Sequence, residues 1–463
     1  MLARLFDRVS QFFRPTQPNR AESLQAPLPL TSEGSSSPAA LVSGPSPSNQ
    51  LALWKAGIAV QTGQLSEARE VIHGALALGA SRGDIAQILI GSVHASLGRA
   101  SSFSGAPDKA LNHFTQAQDL QTPGAEKSFN DLLSGQAKLM EARGDFRNAC
   151  LAWQDLACLM GADTPDHIYV ALSQAQRHVR DFGGSSAENH CWGDLHKHDV
   201  LSQLHEQLEP SFYLEVGVDE GLSLARATGP AVGLDPRPHL TLKRPPPKAA
   251  AIVCSSSDRF FRELAPNRND PPIDLAFIDG MHLFEFVLRD FINVEQHASE
   301  YGAVVIDDIF PCHPKQAKRH RESSSWTGDV WKIQRVLKTY RPDLFLMRLN
   351  CWTTGLLLVA GLDSNSSMLR ELQSDITRKF RVDSQVPASV LEREGAIPSD
   401  HPIVGELCAL LLSARRESWS RNQLGESLSA LQAKLSEVER EFAGRAKGLA
   451  NPDAHKSKLW PQP

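Results

Sequence analysis

A chain of 463 residues with a formal charge of −5 is long enough for two or three domains. Its charge excludes a general nucleic-acid binder, which carries a basic stripe, and no apolar run reaches the roughly 18 residues that a membrane-spanning helix needs. The seven cysteines (150, 158, 191, 254, 312, 351 and 408) are odd in number and scattered, which suits a reducing compartment and an expected cytoplasmic location.

The first fourteen residues set Leu2, Leu5, Phe6, Val9, Phe12 and Phe13 against Arg4, Arg8 and Arg14. This short amphipathic pattern lacks a signal-peptide core. It reads either as a helix lying on a membrane surface or as a frayed or partner-bound end. Residues 15–50 are rich in Pro, Ser and Gln, as a flexible linker is, so 1–50 are expected to be disordered. From Leu51 a pattern recurs. Gly63, Gly105 and Gly144 are each followed by an alanine (Ala68, Ala110, Ala149) and then a large apolar residue (Ile72, Phe114, Trp153). Small pairs such as Leu97-Gly98 precede them. Residues 51–182 therefore resemble tetratricopeptide repeats, although the spacing exceeds the usual period of about 34 residues. Helical hairpins are expected; whether they present a protein-binding surface or form a cap is open.

Residues 183–200 gather His190, Cys191, His196 and His198, which fall short of the matched ligand pairs of a zinc site. Asp199–Leu208 reads as a helix. Phe212-Tyr213-Leu214 is then an apolar run ending in Glu215, with a glycine turn at Gly217 and Gly221, a helix opening at Ser223, a second run, Ala231–Leu234, and Asp235. Strand, glycine turn, helix, strand and acid make the first half of a nucleotide-binding βαβ unit. The two glycines let a ligand approach the backbone. Asp235 falls where a carboxylate accepts both hydroxyls of a ribose. Glu215 suits a ligand with a cationic amino-acid end. The spacing E-x-G-x-x-x-G-x-S departs from G-x-G-x-x-G and disfavours a dinucleotide.

The Pro245–Pro247 run interrupts the second crossover. Ala249–Cys254 is a third strand, followed by Ser256 and Ser257, which either face the ligand or cap the next helix. Ile273–Ile278 ends in Asp279-Gly280-Met281-His282, and Gly302–Ile306 ends in Asp307-Asp308. Near-continuous apolar strands alternating with helices imply a doubly wound, mostly parallel sheet buried on both faces, whose site lies beyond the strands' carboxyl ends. Three acids meeting there call for a positive charge between them, and a divalent cation with oxygen ligands is the natural candidate. Further on, Arg319 and Arg321 read either as anion binders or as a solvated run, Trp326 as facing the site, Trp331 as core, and Thr353–Ala360 as a closing strand.

Across about residues 200–363 the motifs LEVGV…G.SL, GLDP and DLAFIDGMH resemble those of class I S-adenosylmethionine-dependent methyltransferases, and within them a bacterial branch similar to catechol-type O-methyltransferases. That resemblance implies a Rossmann-like domain over 183–363 and a methyl transfer to a hydroxyl of a small molecule or glycan. It implies S-adenosylmethionine at Glu215, Gly217, Gly221, Ser223, Asp235, Ser256 and Ser257. It also implies Mg²⁺ or Mn²⁺ at Asp279, Asp307 and Asp308, and His282 as base beside Asp279; a metal-free site, with His282 and Asp308 as polar substrate contacts, is the main alternative. Asp308 stands where that family usually has asparagine. An inert, repeat-based scaffold and an NAD-linked oxidoreductase are the competing readings. The tail, 364–463, is helical by pattern. Its seam of Leu424, Leu428, Leu431, Leu435, Val438 and Phe442 is expected to pack on the repeats or to form a dimer contact, and residues 456–463 to fray.

Overall fold

The computed structural model describes residues 47–61, 63–103, 107–120, 125–179, 181–241, 247, 249–263, 271–382 and 385–445. The amphipathic segment 1–14, most of the linker, Gly105, Pro245-Pro246 and the last residues, 456–463, lie outside them. The chain divides into two compact units, one ending at Leu156 and the other starting at Ala157.

The first unit is helical: α1 (Pro47–Gln61), α2 (Leu65–Ala77), α3 (Arg82–Phe103), α4 (Pro107–Asp119), α5 (Ala125–Ala142) and most of α6 (Phe146–Met160). Gly63 and Gly144 turn the chain between α1 and α2 and between α5 and α6 with φ of +78° and +77°, a region that favours glycine. At Gly98 a Cβ would stand 2.8 Å from the Phe114 ring, which shows how closely α3 and α4 approach. Ala68, Phe114, Ala149 and Trp153 of the recurring pattern are buried, and Trp153 Nε1 donates to Glu141 Oε1 at 2.8 Å. The pattern thus marks helix-to-helix contacts, as its small residues lead one to expect.

In the second unit α7 (Asp166–His178), α8 (Ser186–Asn189) and α9 (Lys197–Leu208) precede β1 (Tyr213–Val216), β2 (Ala231–Leu234), β3 (Ala250–Val253), α10 (Ser257–Glu263), β4 (Ile273–Ile278), α11 (Phe284–Glu295) and β5 (Ala298–Ile306). There follow α12 (Lys332–Tyr340), β6 (Phe345–Leu349), β7 (Leu356–Ala360), α13 (Met368–Phe380), α14 (Ala388–Leu391), β8 (Ala396–Ile397), α15 (Pro402–Glu417) and α16 (Arg421–Glu441). The eight strands form one sheet in the order β3-β2-β1-β4-β5-β7-β6-β8. The first five are mutually parallel, whereas β7 runs antiparallel to both β5 and β6. A reversed strand inserted beside β5 distinguishes this sheet from the dinucleotide-binding order 3-2-1-4-5-6.

Side chains alternate across the sheet. Phe212, Leu214 and Val216 join the cluster with Phe284, Phe291, Ile333 and Ile376 of the helices on one face. Tyr213 joins the other, with Leu201 and Leu204 of α9 and the inner stripes of α15 and α16. The helix expected at Ser223 is a single 3-10 turn, Leu224–Arg226, cut short by Gly229-Pro230. That turn packs tightly on β2: a Cβ at Gly233 would come within 2.6 Å of Val218 and 2.8 Å of Leu224. Leu424, Leu428, Leu431, Leu435 and Val438 are buried in the second cluster, so the seam of the tail packs on the sheet's own face.

Candidate active site

Three residues on the rim of the sheet hold left-handed backbone that non-glycine residues seldom adopt: Asp219 (φ +39°), His282 (+54°) and Asp308 (+64°). Such clustering is typical of ligand sites. A cleft of about 850 Å³ opens there, at the carboxyl ends of the parallel strands. Gly217, Gly221's neighbour Leu222, Ser223, Asp235, Ser256, Ser257, Asp279, His282 and Asp308 all line it. Residues spread over nearly a hundred positions are thus gathered along one edge.

The cofactor end is built on β1 and β2. Gly217, at φ +89°, lies so close to β4 that a Cβ would meet the Asp279 carbonyl oxygen at 2.0 Å. Gly221, at φ +74°, donates its N–H to the Val218 carbonyl at 2.8 Å and so closes the turn. Asp235 braces this loop: its Oδ2 accepts from the N–H groups of Val218 (3.1 Å) and Asp219 (2.9 Å), and its Oδ1 from that of Arg237 (2.7 Å). Glu215 is fully buried beneath the floor. Its carboxylate accepts from Ser223 Oγ (2.6 Å) and Tyr213 Oη (2.7 Å), and burial raises its pKa to about 8. It reaches the cleft through Ser223 and not directly. Ser256 N–H donates to Asp166 Oδ1 at 2.9 Å, and Ser257 Oγ donates to Asp290 Oδ1 at 2.5 Å. Asp166 also pairs with Arg259 at 2.9 Å, so a helix far upstream, α7, braces the end of β3. Its Tyr169 and Leu172 form part of the wall.

At the opposite end Asp279, Asp307 and Asp308 converge as expected, but with two cations of the chain already among them. Lys197, at the start of α9, places its Nζ 2.7 Å from Asp279 Oδ2 and 2.5 Å from Asp307 Oδ2. His282 stands between Asp279 Oδ1 (Nε2, 3.4 Å) and Asp308 Oδ2 (Nδ1, 2.9 Å). Burial disfavours both charges, yet the facing carboxylates outweigh it and lift the pKa of the ammonium and of the imidazole well above their ordinary values. Burial likewise opposes ionisation of Asp279, but Lys197 and His282 hold it well below the usual carboxylate range. Asp307 is pushed upward, by burial and then by its acidic neighbours against the pull of Lys197. Asp308 Oδ1 accepts from Thr354 Oγ1 at 2.6 Å. Trp326 stacks on the His282 ring with centroids 5.3 Å apart and faces the cleft, while Trp331 is buried.

For the divalent cation expected on Asp279, Asp307 and Asp308, the donor set fits poorly. Among the described residues the one group of ligand atoms within 4.8 Å of one another is Asp279, His282 and Asp308, and in it the imidazole faces two carboxylates as a charged ring would. Asp307 points at Lys197 instead. His196 caps α9, its ring accepting from His198 N–H at 3.1 Å, and His198 is buried in that helix. Arg319 is held by Glu285 (2.6 Å) and Asp329 (2.8 Å), which makes it a brace and not an anion binder. Arg321 lies over the Phe182 ring at 4.1 Å, on the cleft wall.

Sequence reasoning passed over Lys197, Thr354 and Asp166. Only Lys197 carried a signal, as a lone cation in a histidine-rich stretch next to a helix start.

Residues 214–309 match the family described as a methyltransferase domain. The matched segment lies within the second unit and takes in β1 to β5 of its Rossmann-like sheet, so that unit carries a domain of the methyltransferase type. Among solved structures, the O-methyltransferase TomG from Streptomyces achromogenes, in complex with SAM, is 15% identical over 41% of this chain and 85% of that one, with a TM-score of 0.27. An O-methyltransferase from Bacillus cereus, in complex with SAH, is 13% identical over 42% of this chain and 89% of that one, with a TM-score of 0.27. The assignment rests on the matched segment and the strand order rather than on these likenesses. No curated protein sequence matches the chain.

Proposed function

We propose that the cleft binds S-adenosylmethionine and transfers its methyl group to a hydroxyl oxygen of a small molecule or glycan. The observation that carries this reading is the shared cleft: the glycine turn and Asp235 at one end open into the same cavity as Asp279, His282 and Asp308 at the other. The nucleoside would lie along Asp235 and Ser256, its amino-acid end against the Gly217–Ser223 loop. The sulfonium methyl would then point towards the Asp279–His282–Asp308 group. A residue facing the acceptor there has a planar wall in Trp326, suited to an aromatic or sugar ring.

Methyl transfer from a sulfonium is an in-line displacement. A lone pair of the acceptor oxygen forms the new C–O bond as the C–S bond breaks, and the electrons of that bond leave with the neutral thioether. The chain's part is to align the two reactants and remove the hydroxyl proton. With both ring nitrogens facing carboxylates, His282 serves as a positive charge beside the acceptor oxygen, favouring its ionised form. Asp308, which lines the cleft, takes the proton. Asp279 keeps the ring in place.

The test is calorimetric titration of the full chain with S-adenosylmethionine, S-adenosylhomocysteine and NAD, followed by an acceptor screen that reads S-adenosylhomocysteine release. Binding of the two sulfur ligands and not of NAD is expected. Binding of NAD alone, or of none of the three, would remove the reading.

A further inference from the structure

We propose that the Lys197 ammonium takes the place of a divalent cation between Asp279 and Asp307, so that methyl transfer in this cleft needs no metal. The inference rests on the methyltransferase reading above and adds to it how the acids of the site are neutralised.

The geometry is that of a built position. Lys197 opens α9, where the helix dipole disfavours a cation, so the residue sits against its local electrostatics and is held by its long-range partners. Its backbone is fixed from both sides. Lys197 N–H donates to the Trp352 carbonyl at 3.0 Å, and Trp352 N–H donates to that of Leu195 at 2.7 Å. From there the side chain passes over the Phe277 ring, 5.8 Å from its centroid, and delivers the nitrogen to the ends of β4 and β5. Two of its three donors meet Asp279 and Asp307, one carboxylate oxygen each. This is the bridge between adjacent strand ends that an oxygen-liganded cation would otherwise make. An ammonium has three N–H groups and no acceptor. Because Lys197 also lines the cleft, its third donor is at hand for the acceptor oxygen, whose negative charge it stabilises without a change of ligands.

A surface ion pair would be a weaker reading of the same contacts, but Asp307 is 3% exposed and the lysine side chain 24%. The contact is therefore largely withdrawn from bulk water, unlike a solvated surface pair.

The experiment titrates Mn²⁺ into the full chain in the presence of S-adenosylhomocysteine, reading free Mn²⁺ by electron paramagnetic resonance and the sulfur ligand by calorimetry. In the native chain the Mn²⁺ signal should stay at that of free ion, and S-adenosylhomocysteine affinity should change by less than about twofold, well under the tenfold that 1.4 kcal/mol represents, between EDTA and Mn²⁺. Lys197→Ala vacates the bridge and should take up one Mn²⁺ per chain, an uptake that Lys197→Ala combined with Asp307→Asn loses. Stoichiometric Mn²⁺ on the native chain, abolished by Asp279→Asn, would overturn the proposal. So would a folded Lys197→Ala chain that binds S-adenosylhomocysteine yet takes no Mn²⁺. Should Lys197→Ala not fold, the native-chain titration still decides. Absence of S-adenosylhomocysteine binding in the native chain would strike the methyltransferase reading itself, whatever the manganese does.

Discussion

Glu215 shows what one buried acid does to the pH response of the molecule. Its pKa in the folded chain is about 8, raised from 4.5 by burial. Between those values the folded chain holds a proton that the unfolded chain has released, so stability falls as pH rises through that window. Glu215→Gln removes the titration while keeping the size of the side chain against Ser223 and Tyr213. We expect the native chain to lose about 1 kcal/mol per pH unit relative to this variant between pH 5 and 8, measured by urea unfolding at a series of pH values. Parallel pH profiles for the two chains would show that Glu215 does not take up a proton on folding. Single residues also mark the limit of sequence reading. Asp235, Asp279 and Asp308 were legible because each ends an apolar run, and a parallel strand brings its last residue to the site wherever the run lies in the chain. Lys197 was not legible as a partner of Asp279 and Asp307. Its meaning depends on where α9 starts in space relative to β4 and β5, which no local pattern records. Arg319 could be read only as an anion binder or a solvated charge, because the fold that brings Glu285 and Asp329 onto it, 34 and 10 positions away, leaves no local pattern.

At the scale of elements, the heptad seam of α16 is an instructive case. The spacing of its leucines was plain, but spacing names a buried face and not the surface that buries it. Here the partner is the sheet's own face, with Leu435 completely enclosed in the cluster that also holds Leu407 and Leu411 of α15. Leu435→Ala is therefore expected to cost about 2–5 kcal/mol, as large-to-small core changes do, and to leave the oligomeric state unchanged. Thermal unfolding and light scattering check the two halves of that statement. A change in mass with no loss of stability would place the seam between chains. The 3-10 turn at Leu224–Arg226 makes a similar point. The glycine turn before it was evident, yet Gly229-Pro230 leaves no room for a full crossover helix, and the contact of Leu224 with Gly233 takes over its packing role.

On the scale of the whole molecule, the rim is tied together by contacts of long sequence separation. Asp166 accepts from Ser256 N–H and pairs with Arg259, 90 and 93 positions away. Asp166→Ala should cost about 1–3 kcal/mol, the loss of an acceptor for a backbone donor and a charged group, and this is read from the urea midpoint. An unchanged midpoint would mean that α7 merely rests beside β3. These ties also bear on how the protein can be cut. The segment that bears the family's signature, residues 214–309, omits Asp166 and Lys197 on one side and Thr354 on the other. A recombinant fragment trimmed to those borders would keep His282 beside Asp279 but leave Asp307 without Lys197, and a β3 end without its strut. Transplanting this cleft into another scaffold therefore means moving the helices upstream of the sheet along with it.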